Sequence, residues 1–183
     1  MVRSKNWYAI NHRNRSYKEH RVRILEKELS DMEINKEGLE EFKGMSELAN
    51  EVYDTCGRGL PERVYHTYMT KKLEEKYTSV VQEQKQVYMV NGTPCGAIIP
   101  DILASNSNGD YVIEVKINNL NRGFLQLGQY VLNNPGRIGF LVCYAVTGVE
   151  MYMILAISES ECVCYDGKGI YSLNLNAKRD ISE

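Results

Sequence analysis

The stretch "PDILASNSNGDYVIEVK", residues 100–116, reads as two strands joined by a Gly/Asn turn, with Asp101, Glu114 and Lys116 set in an apolar frame. Strand alternation sends Glu114 and Lys116 to one face and Ile113, Val115 and Ile117 to the other. In the preceding strand, Ile99, Asp101 and Leu103 share a face, with Ile98 and Ile102 opposite. If the two strands pair as a hairpin, Asp101 and Glu114 come close together. Two neighbouring carboxylates repel, and burial penalises their charged forms. A divalent cation relieves both costs, and an all-oxygen ligand set that keeps waters on the metal is what Mg²⁺ prefers. A lysine alongside can hold, or help deprotonate, an attacking water. The cluster has the parts for metal-assisted phosphodiester hydrolysis. The same letters also spell an ion pair on an exposed sheet face, so the rest of the chain must decide between the two.

Upstream, "MSELANEVYDTC" (45–56) places Met45, Leu48, Ala49, Val52, Tyr53 and Cys56 at helical spacing. "GRGLPE" (57–62) ends that helix, and Pro61 suits the first turn of the next. In the second helix, running to about Lys76, the residues Glu62, Tyr65, Met69 and Leu73 share one face. The period then changes. "SVVQEQKQVYMVNGTPCGAIIPDILAS" (79–105) reads as two strands turning at Asn91–Gly92, and "DYVIEVKI" as a third. Downstream, "RGFLQLGQYVLNN" (122–134) returns to helical spacing, with Phe124, Leu127 and Val131 on one face and a polar strip of Gln126, Gln129, Tyr130 and Asn133 opposite. "RIGFLVCYAV" and "EMYMILAIS" read as strands, followed by one or two more between Cys162 and Leu175. The expectation is an α/β (α+β) fold with a mixed central sheet flanked by helices.

Pro100–Asp101 followed by Glu114–Val115–Lys116 resembles the active-site signature of the PD-(D/E)XK nuclease superfamily. "GLPERVY" (59–65) looks like the G-x-x-E-x-x-Y motif of a family within it, and "QLGQY" (126–130) matches the Q-x-x-x-Y pattern of RecB-like members. The resemblance covers roughly residues 45–144. It implies a restriction-endonuclease-like core in αβββαβ order. By the same resemblance, Asp101 and Glu114 bind Mg²⁺ or Mn²⁺, with the Val115 carbonyl as a further ligand and Glu62 completing the acidic cluster. Lys116 positions the attacking water, and Gln126 and Tyr130 orient the scissile phosphate or the lysine. The implied activity is metal-dependent nucleic-acid cleavage, DNA ahead of RNA, in repair, recombination or defence. The alternatives are an inactive nuclease-fold module that binds nucleic acid or protein, and an RNA-directed nuclease. Glu83 is a further acid, expected to face solvent. A homodimer would suit double-strand cutting.

The whole chain gives these motifs their setting. Its 183 residues suit one compact domain, and 43% hydrophobic content supplies a core. A net charge of −2 creates no global field for nucleic acid, so binding must come from a local patch. The first 27 residues offer one, with Arg13, Arg15, Lys18, Arg21 and Arg23 interleaved with Trp7, Tyr8 and Tyr17, although the same residues also read as a solvated N-terminal helix or arm. The stretch from Glu28 to Asp54 is acidic, which sets residues 1–44 apart as a helical extension to a 45–183 domain. No run is long and apolar enough to span a membrane, and no secretory h-region is seen. The five cysteines are scattered without a second close pair, which suits free thiols in an intracellular compartment, cytoplasmic or nuclear. His12, His20 and His66 make no metal pair, and no Walker or nucleophile-elbow motif is present.

Overall fold

The fold is that of a computed structural model, which describes residues 3–6, 23–26 and 34–175. In chain order its elements are β1 (Arg3–Asn6), β2 (Arg23–Glu26), α1 (Lys36–Cys56), α2 (Glu62–Glu74), β3 (Ser79–Gln82), β4 (Gln86–Val90), β5 (Thr93–Ile98), β6 (Ile102–Asn106), β7 (Gly109–Lys116), α3 (Leu120–Asn133), β8 (Ile138–Ala145), β9 (Gly148–Ala156), β10 (Cys162–Tyr165) and β11 (Ile170–Asn174). Nine strands form one sheet in the order β1-β2-β11-β10-β9-β8-β7-β6-β3, and β4 pairs with β5 as a separate ribbon. Among the described strands only β7 and β8 run parallel, because α3 carries the chain back between them; the other pairs are antiparallel. Leaving out the ribbon, α2-β3-β6-β7-α3-β8 is the expected αβββαβ order, on a mixed sheet flanked by helices.

Alternation along β7 builds a core on each face. Tyr111, Ile113 and Val115 join Met45, Leu48, Val52, Tyr65, Met69 and Leu73 of α1 and α2. Val112 joins Leu120, Phe124, Leu127 and Val131 of α3 on the other face. α1 begins nine residues before the expected apolar run, where the Asn35 side chain accepts the Gly38 N–H at 2.8 Å and caps the helix. No helix among the described residues is long and apolar enough to cross a membrane.

Three expectations are corrected. The segment 79–105 forms four strands. Glu83 at φ 48 breaks the first, exposed as expected, and Pro100, with no N–H for a ladder, interrupts the last. Asp101 consequently stands at the bend before β6 and not inside a strand. The Asn91–Gly92 turn does join β4 and β5, both its residues at positive φ (49 and 75) as a tight hairpin requires. Residues 3–6 and 23–26, expected within a helical extension, are strands added to the edge of the sheet beside β11.

The cysteines are free. Cys162 and Cys164 point into the α3-side core with Cys143, and burial pushes each of the three thiols up to about 12. The thiolate is the reactive form. In native protein at pH 8, a disulfide reagent should therefore modify the exposed Cys95 first. Cys56, half-buried and raised by burial, should follow slowly, and the other three should react only after denaturation. Fast reaction of more than two thiols would contradict this packing.

Candidate active site

Strand β7 answers whether the opening charges lie on a wet surface. Every residue from Tyr111 to Lys116 is buried, Glu114 to 2% exposure and Lys116 to 8%. Glu114 and Lys116 lie on the face covered by α3, so the exposed ion pair is ruled out. A carboxylate buried this deeply must have a partner or a cation.

The β6–β7 register pairs Ile102 with Ile113, which sets Asp101 opposite Glu114 one step further on. Asp101 does not drift at its bend. Its Oδ2 accepts the Val115 N–H at 2.9 Å, and its carbonyl accepts the Glu83 N–H at 3.0 Å. Here the side chain takes the place of a ladder carbonyl where the two strands part.

The third acid arrives from α2. Gly59, at φ 77, lets the chain turn back sharply after α1. Tyr65, fully buried, then holds that turn: its hydroxyl donates to the Gly57 carbonyl at 2.7 Å and accepts the Leu60 N–H at 3.3 Å. Its ring stacks on Tyr144, centroids 4.4 Å apart. The turn delivers Glu62 to the first position of α2, where a carboxylate is favoured by the helix dipole. From there Glu62 Oε2 accepts the Ile117 N–H at 3.2 Å, just past the end of β7. The spacing Gly59, Glu62, Tyr65 thus combines one site acid with the two residues that place it. The role of Tyr65 was not legible from the sequence beyond its place in the motif.

The oxygens converge on one cation. Lys116 Nζ lies 2.8 Å from Glu114 Oε1, 3.4 Å from Asp101 Oδ2 and 3.7 Å from Glu62 Oε1, and it donates to the Val115 carbonyl at 3.0 Å. Three carboxylates face one ammonium. Burial, then the Asp101 charge, hold the Glu114 carboxyl above its ordinary pKa despite Lys116. Burial alone would lower the Lys116 pKa, but Glu114 and Asp101 outweigh it and raise it. Among the described residues no three His, Cys, Asp or Glu side chains form a ready-made metal cage. The donor set still fits a hard divalent ion. Glu114 Oε1, although 2.8 Å from the ammonium, accepts no well-directed hydrogen bond. The oxygens of Asp101, Glu114 and the Val115 carbonyl already surround a positive charge. Mg²⁺ asks for few protein ligands and fills the rest with water.

Two expected residues sit differently. On α3, Gly123 packs so closely on Leu141 that a Cβ would lie 2.5 Å from its Cδ1, and Leu127 packs on Gly139. Leu141 is the register partner of Glu114, so Gly123 is level with the carboxylate, and Gln126 lies about one turn further along α3, next to Leu127. The Gln126 Oε1 is buried and lacks a hydrogen-bond partner among the described residues. Tyr130 leaves the polar strip: it is buried, and its hydroxyl accepts a hydrogen bond from Arg137. Burial raises its pKa in spite of Arg137. Arg137 precedes Ile138, the partner of Tyr111, so this pair lies about five strand residues, roughly 17 Å, from Lys116. α3 runs back along β7, and its later turns move away from the cluster. Arg13, Arg15, Lys18 and Arg21 lie outside the described residues, and Arg23 is placed only by its backbone, in β2 opposite Asn174.

Against this geometry, the family model of the PD-(D/E)XK nuclease superfamily matches residues 39–153. The chain belongs to that superfamily. The match runs from α1 to β9 and contains Glu62, Asp101, Glu114 and Lys116, so the converging residues are those of a nuclease fold. β1, β2, β10 and β11 lie outside it. No curated protein and no solved structure matches the chain.

Proposed function

We propose that this PD-(D/E)XK nuclease is a Mg²⁺-dependent (or Mn²⁺-dependent) deoxyribonuclease that hydrolyses phosphodiester bonds with Lys116 as its central catalytic group. The observation that carries the reading is the buried ammonium held by Asp101, Glu114 and Glu62. Asp101, Glu114 and the Val115 carbonyl would hold the ion, with Glu62 joining directly or through water. A bound divalent ion supplies charge neutralisation at the phosphate and lowers the pKa of its water.

The chain's own residues do the rest. Lys116 holds the attacking water and offsets the charge that grows on the phosphate. The backbone bonds to Asp101 and Glu62 fix both carboxylates before substrate arrives, which is how preorganised groups avoid reorganisation during reaction. Gln126, whose buried carbonyl has no hydrogen-bond partner among the described residues, would orient the lysine or a water on the phosphate. Tyr130, buried, would act through Arg137, which it holds toward a flanking phosphate away from the scissile one. Arg13, Arg15, Lys18, Arg21 and Arg23 supply the phosphate contacts that a chain of net charge −2 otherwise lacks.

The test is cleavage of supercoiled plasmid, linear duplex, single-stranded DNA and RNA with Mg²⁺, Mn²⁺ or chelator. DNA should be cut with either ion and left intact with chelator. Cleavage of RNA alone would move the substrate. No cleavage of any of the four would leave the fold as a binding module.

A further inference from the structure

We propose that His66 is a positioning residue for Asp101, an inference that rests on the nuclease reading above. His66 stands one helical turn after Glu62 on α2, and the two share a face. It is half-buried, and its Nε2 lies 3.2 Å from the Asp101 carbonyl oxygen. A carbonyl only accepts, so Nε2 carries the proton and the ring donates. The Asp101 carbonyl therefore receives two donors, His66 and the Glu83 N–H, while its carboxylate receives the Val115 N–H and the Lys116 ammonium.

The bond matters because of where Asp101 sits. It stands at a bend, outside any ladder, after a proline that cannot donate. The β4–β5 ribbon that precedes it pairs only with itself, and its residues Thr93–Ala97 are exposed. On the N-terminal side Pro100 is buried and Ile98 packs on the core, but neither offers a donor to the Asp101 carbonyl. His66 ties this residue to α2, the helix that also presents Glu62. One rigid element thereby sets the separation of two site carboxylates, one at the start of α2 and one at the bend before β6. Groups that orient ligands from behind are commonly worth 10- to 100-fold in metal affinity.

Three substitutions separate this role from simple packing. In His66→Gln the amide nitrogen reaches the position of Nε2 and can donate. In His66→Asn the amide is too short, and in His66→Met there is no donor. Binding of Mn²⁺, followed by its electron spin resonance, should weaken about 10-fold in the Met and Asn variants. It should stay within about 2-fold of wild type in His66→Gln. The rate at saturating DNA should fall in the same order while KM for DNA stays unchanged. Two polar variants at a half-buried site keep the comparison valid if the Met protein does not fold. Equal Mn²⁺ affinity in wild type, Asn and Gln proteins, with wild type active, overturns the role of His66 and leaves the nuclease reading standing. Equal losses in Asn and Gln overturn it too. A wild type that binds no Mn²⁺ and cuts nothing overturns both.

Discussion

Lys116→Met is expected to lower DNA cleavage by about 10³-fold or more and to destabilise the protein in the absence of metal. The rate loss follows from the charge that must be offset at the phosphate, for which single groups are worth about 10²–10⁴-fold. Methionine keeps most of the buried stem, so packing changes little. What disappears is the one cation that, among the described residues, touches Asp101, Glu114 and Glu62 together. Glu114 is 2% exposed and would be left beside Asp101 with no counter-charge. Removing one partner of a buried pair costs about 3–5 kcal/mol. Melting in chelator should show that loss, and Mg²⁺ should recover part of it, since the ion takes over the neutralising role. Glu114→Gln is the informative control. It should abolish cleavage as well, yet melt no lower than wild type, because burial and Asp101 already disfavour the charge it removes. Should Lys116→Met melt like wild type in chelator, the ammonium is not what holds the three carboxylates together.

What could be read from the letters, and what could not, divides along physical lines. Alternation correctly put Glu114 and Lys116 on one side of β7, but alternation does not say whether that side is covered. Covering comes from α3, whose packing depends on Gly123 lying against Leu141, a contact between segments some eighteen residues apart. The break at Glu83 left no signal, because a positive φ at a residue other than glycine is set by its surroundings and not by its side chain. Asp101 stands before a strand and not in one because of Pro100, a signal that the sequence did carry. Tyr130 belongs beside the apolar face and not on the polar strip, as its spacing of three from Leu127 signals, and it is buried in the same core with Arg137 on its hydroxyl. His66 was set aside for want of a histidine partner. Its spacing of four from Glu62 was the available signal, since on a helix it puts both on one face. The edge strands β1 and β2 lie among basic residues that carry no strand periodicity, and pairing with β11 decides them.

Tyr65→Phe should cost about 2 kcal/mol and slow cleavage about 10-fold, although Tyr65 touches none of the reacting groups. The ring would keep its stack on Tyr144, so the change isolates the hydroxyl. Without it the Gly57 carbonyl and the Leu60 N–H both lose their partner, in a part-buried turn where stranded backbone groups are costly. That turn fixes where α2 begins, and so where Glu62 meets the Ile117 N–H and Lys116. Urea denaturation should show the stability loss as a lower midpoint with an unchanged slope. Tyr53→Phe serves as the comparison: its hydroxyl donates to the Val146 carbonyl at 3.1 Å in an exposed setting, and its loss should change the midpoint little. The effect on rate requires a double-mutant cycle, because a weakened fold and a misplaced acid both slow an enzyme. If Tyr65 acts by placing Glu62, then Tyr65→Phe should cost almost no further activity in a Glu62→Ala background. An undiminished tenfold loss in that background would mean that the hydroxyl supports catalysis by some route other than Glu62.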